Sequence, residues 1–199
     1  MESSTIFMSA IIVLLAYLIG SVPFALVIGK GFYKTDVRKH GSGNLGATNT
    51  FRALGKKAGI IVMVGDMAKG SLATCLPLIL DNNLHMLIPG FIAILGHSYP
   101  IFAKFKGGKS VATTAGVFLA FSPLSFILGI LAFLITLKFS KYVSLSSSIG
   151  ALVVFLTSFF VGDIVLIIFA AIIVVFISFK HIKNFKRIIK GTEPKVTWI

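Results

Sequence analysis

Long apolar runs, parted by short polar segments, dominate this chain. A helix needs about 20 apolar residues to cross the hydrocarbon core of a bilayer. Five runs meet or approach that length: Ile6–Ile28, Gly59–Leu80, Leu84–Phe102, Ser144–Val161 and Ile164–Phe179. The stretch from Ser110 to Phe139 differs. As one helix it would be ~45 Å long at 1.5 Å per residue, too long for an ordinary crossing. Ser122-Pro123 lies near its middle, and proline disfavours helix at the residue before it. The pattern therefore predicts two spans there, Ser110–Phe121 and Pro123–Phe139. The first is short and is expected to lean on Gly107-Gly108 and on local thinning of the bilayer. Ser21 and Pro23 predict a kink in the first span. The expectation is an all-α integral membrane protein with seven transmembrane helices. Residues 1–199 form a single membrane-embedded domain, with no soluble domain, repeat or low-complexity tract.

Composition agrees. The chain is 56% hydrophobic and holds nineteen Phe among 199 residues, more apolar surface than a soluble domain of this size can hide. Charge then orients the helices. The polar segments Gly29–Ala58, Ala103–Lys109, Lys138–Val143 and the tail from Lys180 hold every Lys and Arg except Lys69. The segments facing the other way hold Glu2, Asp81 and Asp163. Positive-inside bias thus places the N-terminus outside and the C-terminus in the cytoplasm; six spans would send Lys138, Lys141 and the basic tail outside. The start of the chain lacks the basic segment of a cleavable signal peptide, so the first span is expected to remain. The net charge of +13 is explained by this sidedness and by anionic ligands rather than by nucleic acid. Cys75 is the only cysteine. It excludes an intrachain disulfide, and no Cys-rich metal motif exists. No metal and no cofactor are expected.

The longest polar loop reads Gly41-Ser-Gly-Asn-Leu-Gly-Ala-Thr-Asn-Thr-Phe-Arg52. Its glycines let backbone amides turn toward a ligand, and successive amides in such turns make an anion-binding nest. Ser42, Asn44, Thr48 and Asn49 add neutral hydrogen-bond groups, and Arg52 a planar fork suited to phosphate. A second loop runs from Gly96-His97 through Pro100 to Lys106-Gly107-Gly108-Lys109-Ser110. There a Gly-Gly-Lys sequence meets a helix N-terminus, whose free amides favour phosphate. Its end resembles a Walker A loop, but Ala103 occupies the place of the opening glycine, which excludes that motif. His97 is a structural or supporting candidate.

Two further polar blocks follow, Lys141 to Ser148 and Lys180 to Asn184. Hydroxyls in membrane helices commonly bond the helix backbone, which is the plain reading of each serine alone. His181 and Asn184 are three apart and share a helix face. Asp66 and Lys69 fall inside the second span, where ionisable groups are costly and tend to pair; their spacing predicts a structural ion pair. No His is followed five residues on by Asp, which excludes the His/Asp motif of the commoner glycerolipid acyltransferases. No Gly-x-Ser-x-Gly elbow offers a serine nucleophile.

These blocks, in this order, resemble the bacterial acyl-phosphate-dependent glycerol-3-phosphate acyltransferases, the PlsY family. The resemblance rests on Gly41 to Asn49, Asp66-Met-Ala-Lys-Gly70, Gly96-His97 with Pro100, Lys106-Gly-Gly-Lys109 with Val111-Ala-Thr113, Tyr142-Val-Ser-Leu145, and His181 with Asn184. It spans nearly the whole chain. It departs at Leu45, where proline is frequent, at Ser110, where glycine is frequent, and at Lys141, Lys180 and Lys183, where other charged residues are usual. The resemblance implies a multi-pass enzyme of the bacterial plasma membrane with a cytoplasmic active site. Such an enzyme transfers a fatty acyl group from acyl phosphate to the 1-hydroxyl of sn-glycerol 3-phosphate, without cofactor, giving 1-acylglycerol 3-phosphate (lysophosphatidic acid) and phosphate for phospholipid biosynthesis. Membrane lipids and a soluble enzyme that makes the acyl phosphate are its implied partners.

By the same resemblance, Ser42, Arg52, Lys109, Ser147, His181 and Asn184 form the glycerol-3-phosphate site. Asn44, Thr48 and the Gly107 and Gly108 amides suit the acyl-phosphate headgroup, with Gly43 and Asn49 in the same loop. An acyl phosphate is already activated and needs no covalent enzyme intermediate if the acceptor hydroxyl is held in line. Arg52 and Lys109 are the expected stabilisers of the departing phosphate. His181 or the acceptor's own phosphate takes the proton. The competing class is an anion or organophosphate transporter, which would place its polar site near the midplane; only Asp66 and Lys69 lie there.

Overall fold

The structure, a computed structural model, describes residues 2–197, with side chains for residues 5–197. Glu2, expected on the outer face, thus has its side chain outside the described ones. The described chain is helical throughout and has no strand. It divides between Phe121 and Ser122 into two compact units.

The first unit holds α1 (Glu2–Ser21), α2 (Phe24–Tyr33), α3 (Ala47–Leu54), α4 (Lys56–Ile79), α5 (Leu87–Ser98) and α6 (Val111–Phe121). The run Ile6–Ile28 is not one helix. Pro23 has no N–H to continue the ladder, and α1 and α2 meet at a 43° bend. The break exposes the Val22 carbonyl inside the apolar segment, and Lys69 Nζ donates to it at 2.8 Å. The run Leu84–Phe102 is also shorter than expected. The Asn82 carboxamide accepts from Leu84 N–H and the His85 ring from Leu87 N–H, so the first residues are spent on turns. At its far end Tyr99, ahead of Pro100, leaves helical geometry at φ −133°.

Helix α4 crosses α6 closely. A side chain on Gly70 would overlap the Thr113 carbonyl, and one on Gly116 the Met67 carbonyl. Ser71 Oγ donates across the crossing to the Gly116 carbonyl at 2.7 Å. Lipid tails supply no hydrophobic drive between helices, so small residues that let backbones approach supply van der Waals packing instead.

The second unit holds α7 (Pro123–Ser140), α8 (Val143–Val161), α9 (Ile164–Lys180) and α10 (Ile182–Ile189). Gly129 and Gly150 make the close α7–α8 crossing. Asp163 starts α9 by accepting from the Val165 and Leu166 N–H groups. The basic tail, where a shared helix face was expected for His181 and Asn184, forms α10, bent 55° from α9. Leu131, Phe139, Phe160 and Val175 are exposed apolar side chains of this unit, as a lipid-facing surface requires.

By length and composition α4, α7 and α8 can each cross a bilayer, and the bent pairs α1–α2 and α9–α10 raise that to five. Helices α5 and α6 are shorter apolar helices.

Candidate active site

The first glycine loop is built by its own backbone and one asparagine. Gly41 and Gly43 have φ of +56° and +71°, the left-handed region that glycine enters without steric cost. Buried Asn49 closes the loop. Its Oδ1 accepts from Ser42 N–H at 2.9 Å, and its Nδ2 donates to the Val37 carbonyl at 2.9 Å. Asn44 Nδ2 donates to Ser42 Oγ at 3.2 Å, which leaves the Ser42 O–H to serve as a donor. Leu45 is 3% exposed and packs with Val37, Val62 and Ala103, anchoring the loop on apolar surface. Helix α3 then starts at Gly46 without a side-chain cap. Thr48 stands in its first turn and half-buried Arg52 in its second.

Beside this loop, Asp36 accepts from Arg38 Nε and Nη2 at 2.9 and 2.6 Å and caps the turn Val37–Lys39. The Arg38 side-chain hydrogen bonds hold the Asp36 carboxyl well below the usual carboxylate range, with slight burial opposing and Lys30 adding to the effect.

The second loop docks on the first. A side chain on Gly108 would collide with the Leu45 carbonyl and with His97 Nε2; one on Gly107 would collide with the His97 carbonyl. Gly108 N–H donates to the His97 carbonyl at 3.2 Å. The loop ends at Ser110, whose φ is +61°. The conformation suits glycine, and the serine is held in it by its hydroxyl, which donates to the Ile94 carbonyl at 2.9 Å and accepts from the Ser98 O–H at 2.7 Å. Lys109 lies between Gly108 and Ser110, half-buried, directly before α6.

Behind the second loop sits a buried ionic cluster. Lys69 Nζ is 2.7 Å and His97 Nδ1 3.3 Å from Asp66 Oδ1. All three residues are at most 5% exposed. Lys69 also lies 5.8 Å from the Phe24 ring centroid. The cluster ties the α1–α2 break to α4 and the end of α5.

In the second unit, Ser147 Oγ donates to the Val143 carbonyl at 2.8 Å. In that form it presents only lone pairs and must release Val143 to donate to a phosphate. His181 Nδ1 lies 2.8 Å from the Ile177 carbonyl. A carbonyl only accepts, so Nδ1 carries the proton and the lone pair falls on Nε2. Asn184 Nδ2 donates to Glu193 Oε1 at 2.6 Å, and Arg187 Nε to Glu193 Oε2 at 2.7 Å.

The structure thus brings together, within the first unit, the loops that carry Ser42, Gly43, Asn44, Gly107, Gly108 and Lys109, with His97 and Asp66 beneath. Ser147, His181 and Asn184 belong to the second unit. Sequence reasoning missed Glu193 and gave Ser98 and Leu45, though inside its motifs, no role. Glu193 is one of only six acidic residues and the lone acid in a basic tail, which was the available signal. Among the described residues no group of three or more His, Cys, Asp or Glu is placed to hold a metal.

Helical spans of membrane length, joined by glycine-rich, basic loops, define a membrane protein with a site for anionic ligands. The glycerol-3-phosphate acyltransferase family matches residues 10–191, and the chain belongs to that family. It is 55% identical to the glycerol-3-phosphate acyltransferase of Geobacillus kaustophilus over 192 residues, covering 96% of this chain and 98% of the relative. Among solved structures it is similar to PlsY, an integral membrane glycerol 3-phosphate acyltransferase. The glycerol 3-phosphate form of that protein superposes with a TM-score of 0.88 at 36% identity, over 98% of this chain and 96% of that one. Its lysophosphatidic acid form gives 0.85 at 37% identity, with the same coverage.

Proposed function

We propose that this chain transfers a fatty acyl group from acyl phosphate to the 1-hydroxyl of sn-glycerol 3-phosphate. The products are lysophosphatidic acid and inorganic phosphate, an early step in phospholipid biosynthesis. Acylation of glycerol 3-phosphate follows from the family. The choice of donor is supported by two glycine loops in contact, one leading to Arg52 and the other to Lys109: both substrates carry phosphate, and the paired loops offer groups for two such anions.

The acceptor oxygen attacks the acyl carbonyl carbon, the carbon–oxygen bond to phosphate breaks, and phosphate leaves with its electron pair. Arg52 and Lys109 stabilise the leaving charge, and glycine-loop amides the tetrahedral oxyanion. Ser42, Ser147, His181 and Asn184 complete the acceptor site, while Asn44, Thr48, Gly107 and Gly108 take the donor headgroup. Gly43 and Asn49 shape the first loop. The hydroxyl proton goes to His181 Nε2 or to the acceptor's own phosphate. Loss of all activity in His181→Ala supports the first route, and a residual pH-independent rate the second.

The same reading has the chain cross the bacterial plasma membrane seven times, as one membrane-embedded domain. The N-terminus is outside, and the site and C-terminus are cytoplasmic. A soluble enzyme that makes acyl phosphate supplies the donor. The transport alternative loses its midplane feature, because Asp66 and Lys69 close on each other and on Val22 and His97.

One assay tests the reaction. Purified protein receives glycerol 3-phosphate with acyl phosphate, acyl-CoA or acyl carrier protein thioester in parallel. Lysophosphatidic acid is expected from acyl phosphate alone; product from a thioester and none from acyl phosphate overturns the donor assignment.

A further inference from the structure

The geometry points to His97 as a positioning residue that sets the shape of the Gly107–Gly108 loop, oriented by Asp66. This rests on the reading that the loop holds a phosphate group.

The His97 side chain touches both its buried ionic partner Asp66 and the glycine loop. Its Nδ1 lies 3.3 Å from Asp66 Oδ1. A carboxylate only accepts, so its closeness favours a proton on Nδ1 and that side of the ring turned toward Asp66. Nε2 then lies under Gly108, where a Cβ would meet it. The Leu45 carbonyl of the first loop crowds the same point. The imidazole therefore sets how deeply Gly108 sits and how the two loops are spaced. Asp66 is held in turn by Lys69, which is tied to the Val22 carbonyl at 2.8 Å. The ring has a support built from α4 and the α1–α2 break, in a place where water cannot compensate for its loss. An amide nest binds phosphate only when its N–H groups converge, so displacement of the loop by a fraction of an ångström weakens binding before it harms folding.

The test uses the full-length protein in detergent, wild type and the variants His97→Ala and His97→Asn. Inorganic phosphate binding is measured by calorimetry, and KM and kcat are measured for each substrate. Asn places an amide donor near the position of Nδ1. For His97→Ala we expect a loss in phosphate affinity and a rise in KM for acyl phosphate on the order of tenfold each, with kcat changed far less. His97→Asn is expected to recover most of both. A purely structural histidine would lower the melting temperature and the active fraction, hence kcat, at unchanged KM and phosphate affinity; that pattern overturns the proposal. If His97→Ala does not fold, His97→Gln carries the test, because it fills the site without a donor at Nδ1. A rise in KM for glycerol 3-phosphate instead keeps the positioning role and reassigns the loop's substrate. Calorimetry needs no turnover. Wild-type protein that binds phosphate but does not use acyl phosphate thus fails the proposed reaction alone, whereas wild-type protein that binds no phosphate overturns both.

Discussion

The first unit organises its polar groups through backbone, and the second through side chains. In the first, Gly41, Gly43 and Ser110 take left-handed conformations. Asn49 spends both ends of its carboxamide on the main chain, so what the loops offer a ligand is largely N–H groups held at set angles. In the second, Ser147 sits on α8 and His181 at the α9–α10 junction, and both bond carbonyls four residues back. There Glu193 gathers Asn184 and Arg187 from α10. Amides in a nest cannot turn away from a ligand, whereas a serine on a helix can exchange its backbone partner for a substrate. The first arrangement is preorganised and intolerant of added volume; the second is adjustable.

The sharpest test of that contrast is chemical. Lys109→Ala and Arg52→Ala are each expected to lower turnover by about 100-fold or more, as removal of one transition-state donor does, while Ser147→Ala loses less. Release of phosphate from acyl phosphate measures all three. Equal losses would dissolve the distinction between fixed and adjustable groups.

Next in size is the cluster beneath the first loops. Lys69→Met leaves Asp66 buried with one cation fewer and is expected to cost about 3–5 kcal/mol. Adding Asp66→Asn to it should return part of that loss. Unfolding of the purified variants in detergent reads the effect, and a neutral Lys69→Met would remove the cluster as the support of the first unit.

Added volume should hurt the close crossing. Gly116→Ala puts a methyl against the Met67 carbonyl and is expected to cost about 1–3 kcal/mol. In the second unit, Glu193→Gln keeps the shape but loses the charge that faces Arg187, at about 1–2 kcal/mol. If its effect falls on KM rather than on melting temperature, Glu193 acts by orienting Asn184.

The smallest effect belongs to the exposed pair. Asp36 has a depressed pKa in the folded state, so its contribution is complete above the unfolded value near 3.9 and is lost as pH falls below it. Asp36→Asn should therefore lower stability at pH 7 by less than about 1 kcal/mol, and the difference from wild type should shrink as pH falls below about 4. A difference that grows on acidification would reverse the sign of this pair.

The sequence by itself determined the solvent and the helical class, and it supplied the proposed location of the chemistry. Apolar run length answers to bilayer thickness, and glycines beside Arg52 in one loop and beside Lys109 in another are what suggested anion binding. The breaks at Pro23 and Pro123 were legible too, because proline acts locally. What only the tertiary structure decided depends on partners far away in the chain. Nothing beside Gly108 announces that Leu45 and His97 press on it, nor beside Asn184 that Glu193 will reach back to it. Hydrogen bonds and close contacts between distant segments leave no period in a sequence, and it is these that convert two flexible glycine loops into one shaped surface.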